Sequence, residues 1–197
     1  MISTIVLDFA GVMTTGNFFP LLAKRLGEKF GVDPLQTEKN LYAHEGPYLI
    51  GQATTEEFWR QCFPGSEVSL DDFKREFGSA YELEPRMLGL VKKLKKNYQM
   101  VLHTDNFEAL SSAIRNDPRL NQLFEKMLFS NEMHLTKQDE GSFRRVLSEI
   151  GKEPGECVFA DDKEKNLRVP AGLGMRTILF QGPEYFAAEL EKIGVTV

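Results

Sequence analysis

Five residues at separate points of the chain have the chemistry needed to transfer a phosphoryl group. Asp8 ends the first apolar run and is a candidate nucleophile, and Thr104 ends a second such run with a hydroxyl group. Lys137 offers a fixed positive charge, while Asp161 and Asp162 offer hard oxygen ligands that suit Mg²⁺. Carboxylate attack on phosphorus requires such a set: a nucleophile, donors and a cation for the phosphoryl oxygens, and a divalent metal.

The elements that must position these residues alternate between strands and helices. Short apolar runs predict strands, and amphipathic stretches between them predict helices. This alternation indicates an α/β fold, a doubly wound parallel sheet whose ligands bind beyond the carboxyl ends of the strands. The predicted strands are 5–7, 98–103, 126–129, 157–160 and 176–180, and the predicted helices are 85–96, 107–115, 141–150 and 163–173.

The alternation stops between residues 15 and 84, where only helices are predicted. Thr54 and Ser69 are typical N-cap residues, each followed by acidic residues in the first helical turn. Tyr48 is a candidate for contact with a substrate. We expect residues 15–84 to form an inserted all-helical cap domain, and residues 1–14 and 85–197 to form the catalytic core. The predicted helices of the insertion are 18–30, 34–42, 54–63 and 69–81.

Composition limits the classes of partner. The chain of 197 residues is 42% hydrophobic and 27% charged with a net charge of −5, which argues against nucleic acid. Apolar runs are far shorter than the roughly 20 residues that span a membrane, and the N-terminus does not resemble a signal peptide. Cys62 and Cys157 are expected to be reduced, buried thiols. We therefore expect a cytoplasmic monomer or homodimer that binds neither nucleic acid nor membrane.

Four motifs in a fixed order resemble those of the haloacid dehalogenase superfamily. The segment 159–166 is similar to the fourth motif of that superfamily in its paired-aspartate form. The segment 130–143 resembles the third motif, except that Gln138 stands where proline usually follows the lysine. The helical insertion after the first motif matches a cap of the first class. The key residues of the motifs are, in chain order, Asp8, Thr104, Lys137 and the pair Asp161 and Asp162.

The resemblance implies a Mg²⁺-dependent phosphatase for a small phosphorylated metabolite. Asp8 would attack phosphorus to form an aspartyl-phosphate. Asp8, the backbone carbonyl of Ala10 and Asp162 would hold the metal, with Asp161 beside Asp162 or behind it. The residues that would bind the phosphoryl oxygens are Thr104, Asn106 and Lys137.

Ala10 departs from the usual pattern. In most phosphatases of this superfamily an aspartate at this position protonates the leaving alcohol and then activates water. Such assistance is worth typically 10²–10⁴ in rate, so its loss slows turnover without ending it. Members that resemble sugar-1-phosphate phosphatases have glycine at the matching position. Ala10 is either a small-residue variant of that pattern or a mutation made to silence the enzyme.

Two other functions remain open at this point. A 2-haloacid dehalogenase would also use Asp8 as its nucleophile, and halide departs without a proton, so Ala10 would not hinder the first step. Such enzymes use no metal, however, which leaves the adjacent Asp161 and Asp162 without their most natural ligand. The third alternative is a weakened homologue that binds a ligand or a partner and acts as a regulator.

Overall fold

A computed structural model describes all 197 residues, and a parallel sheet of five strands forms its centre. The strands are β1 (Thr4–Leu7), β2 (Gln99–Thr104), β3 (Lys126–Phe129), β4 (Cys157–Asp161) and β5 (Arg176–Leu179). Their order across the sheet is β3-β2-β1-β4-β5, and all four pairings are parallel. The predicted doubly wound fold is confirmed.

Eleven α-helices and one short 3₁₀-helix connect and cover the strands. Four of the helices lie in the inserted segment, residues 15–84, as predicted. The sequence pattern did not indicate the two short helices at 118–121 and 130–133 or the last helix at 183–192. The helices are α1 (Phe18–Phe30), α2 (Pro34–Leu49), α3 (Thr55–Cys62), α4 (Leu70–Ser79), α5 (Pro85–Leu94), α6 (Glu108–Asn116), α7 (Pro118–Asn121), α8 (Ser130–Met133), α9 (Glu140–Ile150), α10 (Glu164–Gly172) and α11 (Pro183–Lys192), and the 3₁₀-helix is Pro154–Glu156.

Side-chain capping explains where two helices of the inserted segment begin. The Thr54 side chain accepts a hydrogen bond from the Glu57 N–H, and the Glu57 carboxylate accepts one from the Thr54 N–H. The Ser69 side chain accepts from the Asp72 N–H at the start of α4. Both predicted N-caps are confirmed, and each satisfies a backbone donor that the first helical turn leaves free.

Helix α2 is longer than predicted, because the expected end at residue 42 is wrong. Gly46 and Pro47 are poor helix formers, yet the helix continues through them to Leu49. Tyr48 secures this last turn, because its side chain is fully buried and its hydroxyl bonds to the Thr55 hydroxyl and the Ala109 N–H. Tyr48 therefore packs in the interior, and the expectation that it contacts a substrate is wrong.

The two connections of the inserted segment lie side by side. Thr14 and Leu83 form an antiparallel bridge, the Thr15 N–H donates to Glu82 O, and the Glu84 N–H donates to Met13 O. The chain thus leaves and re-enters the rest of the fold at one place. The division into core 1–14 plus 85–197 and cap 15–84 stays a prediction.

Alternating side chains of the strands build two hydrophobic layers, one on each face of the sheet. Ile5 and Leu7 belong to a cluster of 37 buried residues, which also includes large hydrophobic side chains of α1 to α4. Val6 and Phe159 belong to a cluster of 11 residues on the other face, beneath α9. Burial of both faces is typical of a parallel sheet and fixes the strand ends rigidly. Every helix is too short or too polar to span a lipid bilayer.

Phe107 joins the inserted segment to the carboxyl edge of the sheet. This residue follows β2 and lies just before α6, and its ring lies 5.2 Å from that of Tyr48 and 5.3 Å from that of Phe19. The rings of Phe58 and Phe77 lie 6.2 and 5.6 Å away. Such aromatic contacts add to the free energy of burial. The inserted helices are therefore packed against the turn that follows Thr104.

A buried glutamate links two helices of the inserted segment. The Glu76 side chain of α4 is 1% exposed, and its carboxylate lies 2.8 Å from Lys29 Nζ and 3.2 Å from Arg25 of α1. Burial alone raises the pKa of this carboxyl, but hydrogen bonds and charges from Lys29, Arg25 and Arg75 outweigh it and lower the pKa below its ordinary value. Glu76 is therefore ionised in the fold and holds α4 against α1.

We expect Glu76→Gln to lower the free energy of unfolding by about 1–3 kcal/mol at neutral pH, because it removes a charged acceptor from three cations. The folded-state pKa is depressed, so this stabilisation is present above the unfolded pKa and is lost as pH falls through the folded pKa. Urea unfolding at neutral and acidic pH measures both effects. Glu28→Gln is the control, since Glu28 and Lys24 form an exposed pair at 3.8 Å. An equal effect of both substitutions would contradict the role of Glu76.

Candidate active site

The sheet brings the predicted site residues to one edge. Leu7 of β1 pairs with Leu102 of β2 and Ala160 of β4, so the next residues of these strands project from the same carboxyl edge. Asp8 follows β1 directly, and its N–H donates to Ala160 O at 3.0 Å. Because the chain runs from β1 to β2 on one side and later to β4 on the other, this edge is the switch point where such sheets bind ligands.

A tight turn follows Asp8. The Asp8 carboxylate accepts from the Phe9 N–H at 2.7 Å, and Gly11 adopts a left-handed φ of 79°. A Cβ atom at Gly11 would lie 2.6 Å from Asp162 Oδ2. Glycine is thus needed here for two reasons, the left-handed backbone angle and the close approach of the Asp162 carboxylate. The Ala10 carbonyl at the centre of the turn accepts no hydrogen bond.

Lys137 lies at the centre of the charges. Its Nζ is 2.5 Å from Asp8 Oδ1 and 2.7 Å from Asp161 Oδ2, and the three side chains are almost fully buried. Burial disfavours the charged lysine, but the two carboxylates outweigh it and raise the pKa of Lys137. Burial raises the pKa of Asp8 to about 6, although the Lys137 charge opposes this. Lys137 is therefore a permanent cation between two acids.

Asp105 holds the backbone of Lys137 in place, a role that the sequence analysis missed. Its Oδ1 accepts from the Lys137 N–H at 2.9 Å. Asp139 fixes Thr136, the residue before Lys137, because its carboxylate accepts hydrogen bonds from both the N–H and the hydroxyl of Thr136. Asp105 lies between two predicted site residues, which could have indicated a role in the site. Aspartate is also common in turns, however, so its presence there had a second explanation.

Asp161 is saturated with hydrogen-bond donors. Its carboxylate accepts from Lys137 Nζ, from the Lys163 N–H at 2.8 Å, and from Asn166 Nδ2 at 2.9 and 3.0 Å. Burial opposes ionisation, but Lys137 and these hydrogen bonds lower the pKa of Asp161 below its ordinary value. Gln138, the departure in the third motif, donates to Asn166 Oδ1 at 2.6 Å. Gln138 thus orients the amide that binds Asp161.

Asp162 has the opposite environment. Its Oδ1 is buried without any hydrogen-bond partner, and burial raises the pKa of this carboxyl. Carboxylate oxygens of Asp8, Asp161 and Asp162 lie within 4.8 Å of one another. Three carboxylates and the single charge of Lys137 leave two negative charges at this point. Hard oxygens with an unfilled acceptor fit a small divalent cation, so the residues suit Mg²⁺.

Thr104 and Asn106 supply donors beside the charged cluster. Thr104 Oγ1 makes a long contact of 3.3 Å to Asp105 O, and the Thr104 hydroxyl is among the influences that lower the pKa of Asp8. Asn106 Oδ1 accepts from the Phe107 N–H, whereas Asn106 Nδ2 is buried without an acceptor. A buried amide without an acceptor is costly unless a ligand supplies one. The structure brings all the predicted site residues together, and their individual roles stay predictions.

A cavity of about 400 Å³ opens above this edge. One wall consists of the sheet-edge residues, and helices α1 and α2 of the inserted segment form the facing wall. The residues of that facing wall are Asn17, Phe18, Phe19, Leu21, Tyr42, Glu45 and Leu49. The cavity has room for a small molecule bound between the two walls.

Comparisons with known proteins agree with this geometry. A model of the haloacid dehalogenase-like hydrolases matches residues 2–174. D-ribitol-5-phosphate phosphatase of Bacteroides thetaiotaomicron is 25% identical over 189 residues, which are 90% of this chain and 91% of that protein. Acyl-CoA dehydrogenase family member 10 of Mus musculus is 32% identical over 162 residues, 74% of this chain. This chain spans 14% of the length of the mouse protein.

A solved structure shares the fold. It is a haloacid dehalogenase family enzyme of Bacteroides thetaiotaomicron in complex with magnesium and inorganic phosphate. The TM-score is 0.72 at 22% identity, and the likeness covers 90% of this chain and 93% of the other. With the family model covering most of the chain and the acidic edge in place, the protein belongs to the haloacid dehalogenase-like hydrolases.

Proposed function

We propose that this hydrolase is a Mg²⁺-dependent phosphatase for a small phosphorylated metabolite. The observation that carries the proposal is a pair of buried polar atoms without partners beside the Asp8–Lys137–Asp161 cluster. Asp162 Oδ1 is a free acceptor, which suits a cation, and Asn106 Nδ2 is a free donor, which suits a phosphoryl oxygen. The similarity to a sugar-alcohol phosphatase and the cavity of about 400 Å³ support a small substrate.

Asp8 acts as the nucleophile in this proposal. Lys137 keeps the Asp8 carboxylate ionised and, together with Thr104 Oγ1 and Asn106 Nδ2, binds the phosphoryl oxygens. Burial of the lysine between two acids excludes water and holds its charge where negative charge develops. Asp8 thus attacks phosphorus to form an aspartyl-phosphate, which water then hydrolyses.

The residues that would hold Mg²⁺ are Asp8, the Ala10 carbonyl and Asp162. When bound, the ion neutralises charge on the phosphoryl group. Asp161 differs from these three, because its oxygens already accept four hydrogen bonds. We therefore assign Asp161 to positioning Lys137 rather than to direct ligation.

Dehalogenation is the second candidate, and Ala10 favours it because halide leaves without a proton. The buried free acceptor of Asp162 weighs against a reaction that uses no metal. A regulator that only binds a ligand is the third candidate, and it too depends on Ala10. It gives no reason for a lysine held between two buried acids, which costs free energy to maintain.

Hydrolysis of p-nitrophenyl phosphate and acetyl phosphate tests the proposal, because neither leaving group needs much protonation. We expect turnover with Mg²⁺, loss of turnover with EDTA, and no detectable turnover by Asp8→Asn, which lacks the nucleophile. Asp71→Asn is the control, since Asp71 is an exposed acid in α4. Circular dichroism of both variants checks that they fold.

Two outcomes would contradict the phosphatase proposal. Release of chloride from 2-chloropropionate without Mg²⁺, together with no phosphate release, would establish the dehalogenase. A folded protein with no turnover of either class of substrate would favour the regulator.

We expect Gly11→Ala to weaken the binding of Mg²⁺, because its Cβ would lie 2.6 Å from Asp162 Oδ2 and would displace that carboxylate. The left-handed backbone adds a stability cost of about 1–2 kcal/mol. Gly31→Ala is matched in backbone angle, with φ of 71°, and meets nothing within 4 Å. Both variants should lose stability in urea unfolding, but only Gly11→Ala should require more Mg²⁺ for half-maximal activity. Equal Mg²⁺ requirements would show that Asp162 does not ligate the ion.

A further inference from the structure

Ala10 occupies the position where an acid usually donates a proton in the proposed reaction. Another residue that lines the cavity would have to donate that proton. A group that donates a proton and then accepts one near neutral pH is normally a carboxyl or an imidazole. No histidine lines the cavity, and its carboxyl residues are Asp8, Asp105 and Glu45. Three acids are therefore the candidates for this role.

The geometry of displacement selects among them. The leaving oxygen lies on the far side of phosphorus from the attacking oxygen, in line with it. Asp8 attacks from the sheet edge, so the leaving alcohol points toward the wall formed by α1 and α2. Asp105 lies on the sheet side, where its Oδ1 accepts from the Lys137 N–H. Glu45 of α2 is the one acid on the facing wall.

Glu45 is free to move a proton. Its side chain is partly buried, and its carboxylate makes no hydrogen bond or ion pair within the fold. Burial raises the pKa of its carboxyl, and the Asp105 charge adds to this, although Lys163 and Lys165 of the neighbouring segment oppose it. Tyr42, one turn earlier on α2, also lines the cavity. A carboxyl with a raised pKa is suited to donate a proton near neutral pH.

We propose that Glu45 is the general acid and base of this enzyme and replaces the acid that Ala10 lacks. This inference rests on the proposed phosphatase function. In the first step a bond forms between Asp8 and phosphorus, the bond from phosphorus to the ester oxygen breaks, and the Glu45 proton passes to that oxygen. The alcohol leaves, and Glu45 becomes a carboxylate.

The second step restores both residues. The Glu45 carboxylate takes a proton from water as the water oxygen bonds to phosphorus. The bond from phosphorus to Asp8 then breaks, inorganic phosphate leaves, and Asp8 is again a carboxylate. Glu45 recovers the proton that it gave, so the cycle consumes one water and one ester.

A comparison of two leaving groups tests the proposal. For Glu45→Gln we expect kcat with glycerol 2-phosphate to fall by about 10²–10⁴, because its alkoxide needs a proton. The initial burst of nitrophenolate from p-nitrophenyl phosphate, which reports the first step alone, should change little because nitrophenolate leaves unprotonated. Glu38→Gln, on the same helix but outside the cavity, is the control and should match the wild type.

A second variant separates proton transfer from substrate binding. Ala10→Asp should restore most of the glycerol 2-phosphate turnover that Glu45→Gln loses, because the new acid supplies the proton. Glu45→Gln in that background should have little further effect. This compensation is specific to a proton donor, since an acid at position 10 would not replace a binding interaction between Glu45 and the substrate.

Three results would overturn the role of Glu45. The first is an equal loss on both substrates with a raised KM, which would identify a binding residue. The second is unchanged kcat with glycerol 2-phosphate, and the third is a wild type that cleaves p-nitrophenyl phosphate but no alkyl phosphate. Absence of Mg²⁺-dependent turnover on every phosphate ester would instead contradict the phosphatase function itself, and the role of Glu45 with it.

Discussion

The rest of the site depends on the ion pairs of Lys137. A lysine buried with its ammonium 2.5 Å from Asp8 and 2.7 Å from Asp161 is stable only while both carboxylates stay in place. Asp161 in turn needs Asn166, and Asn166 is oriented by Gln138. Removing one member would leave a buried charge without compensation. This chain of contacts explains how Asp8, the proposed nucleophile, keeps its charge in a buried environment.

The remaining charge at the site follows from the same cluster. Lys137 neutralises only one of the three carboxylates, and Asp161 uses its oxygens for internal hydrogen bonds. Asp162 Oδ1 is a buried acceptor without a partner, and the Asp162 carboxylate can lie close to the turn because Gly11 has no side chain. The backbone turn and the charge cluster thus produce one place with excess negative charge and free oxygens. A divalent cation is the ligand that this place suits best.

The sequence predicted most of the fold and the sheet-edge residues, because both depend on local patterns. Strand and helix alternation implies the parallel order, and the parallel order implies that Asp8, Thr104 and Asp161 meet. The features that the sequence did not predict depend on contacts between distant segments. The end of α2 follows from the bonds of Tyr48 to Thr55 and Ala109, which no local pattern reveals. The contact of Gln138 with Asn166 could not be read from the sequence, and the role proposed for Glu45 required the lining of the cavity.

Phe107 shows why the inserted helices and the site cannot be considered separately. Its ring packs among the aromatic side chains of the inserted segment, while its N–H donates to Asn106 Oδ1. That hydrogen bond leaves Asn106 Nδ2 free for a ligand. The position of α2, which carries Glu45, is therefore coupled through Tyr48 and Phe107 to Asn106 Nδ2, the proposed donor to the phosphoryl group. Because the helices are fixed to the turn after Thr104, an acid on α2 can hold a constant place relative to Asp8, as proton transfer to the leaving group requires.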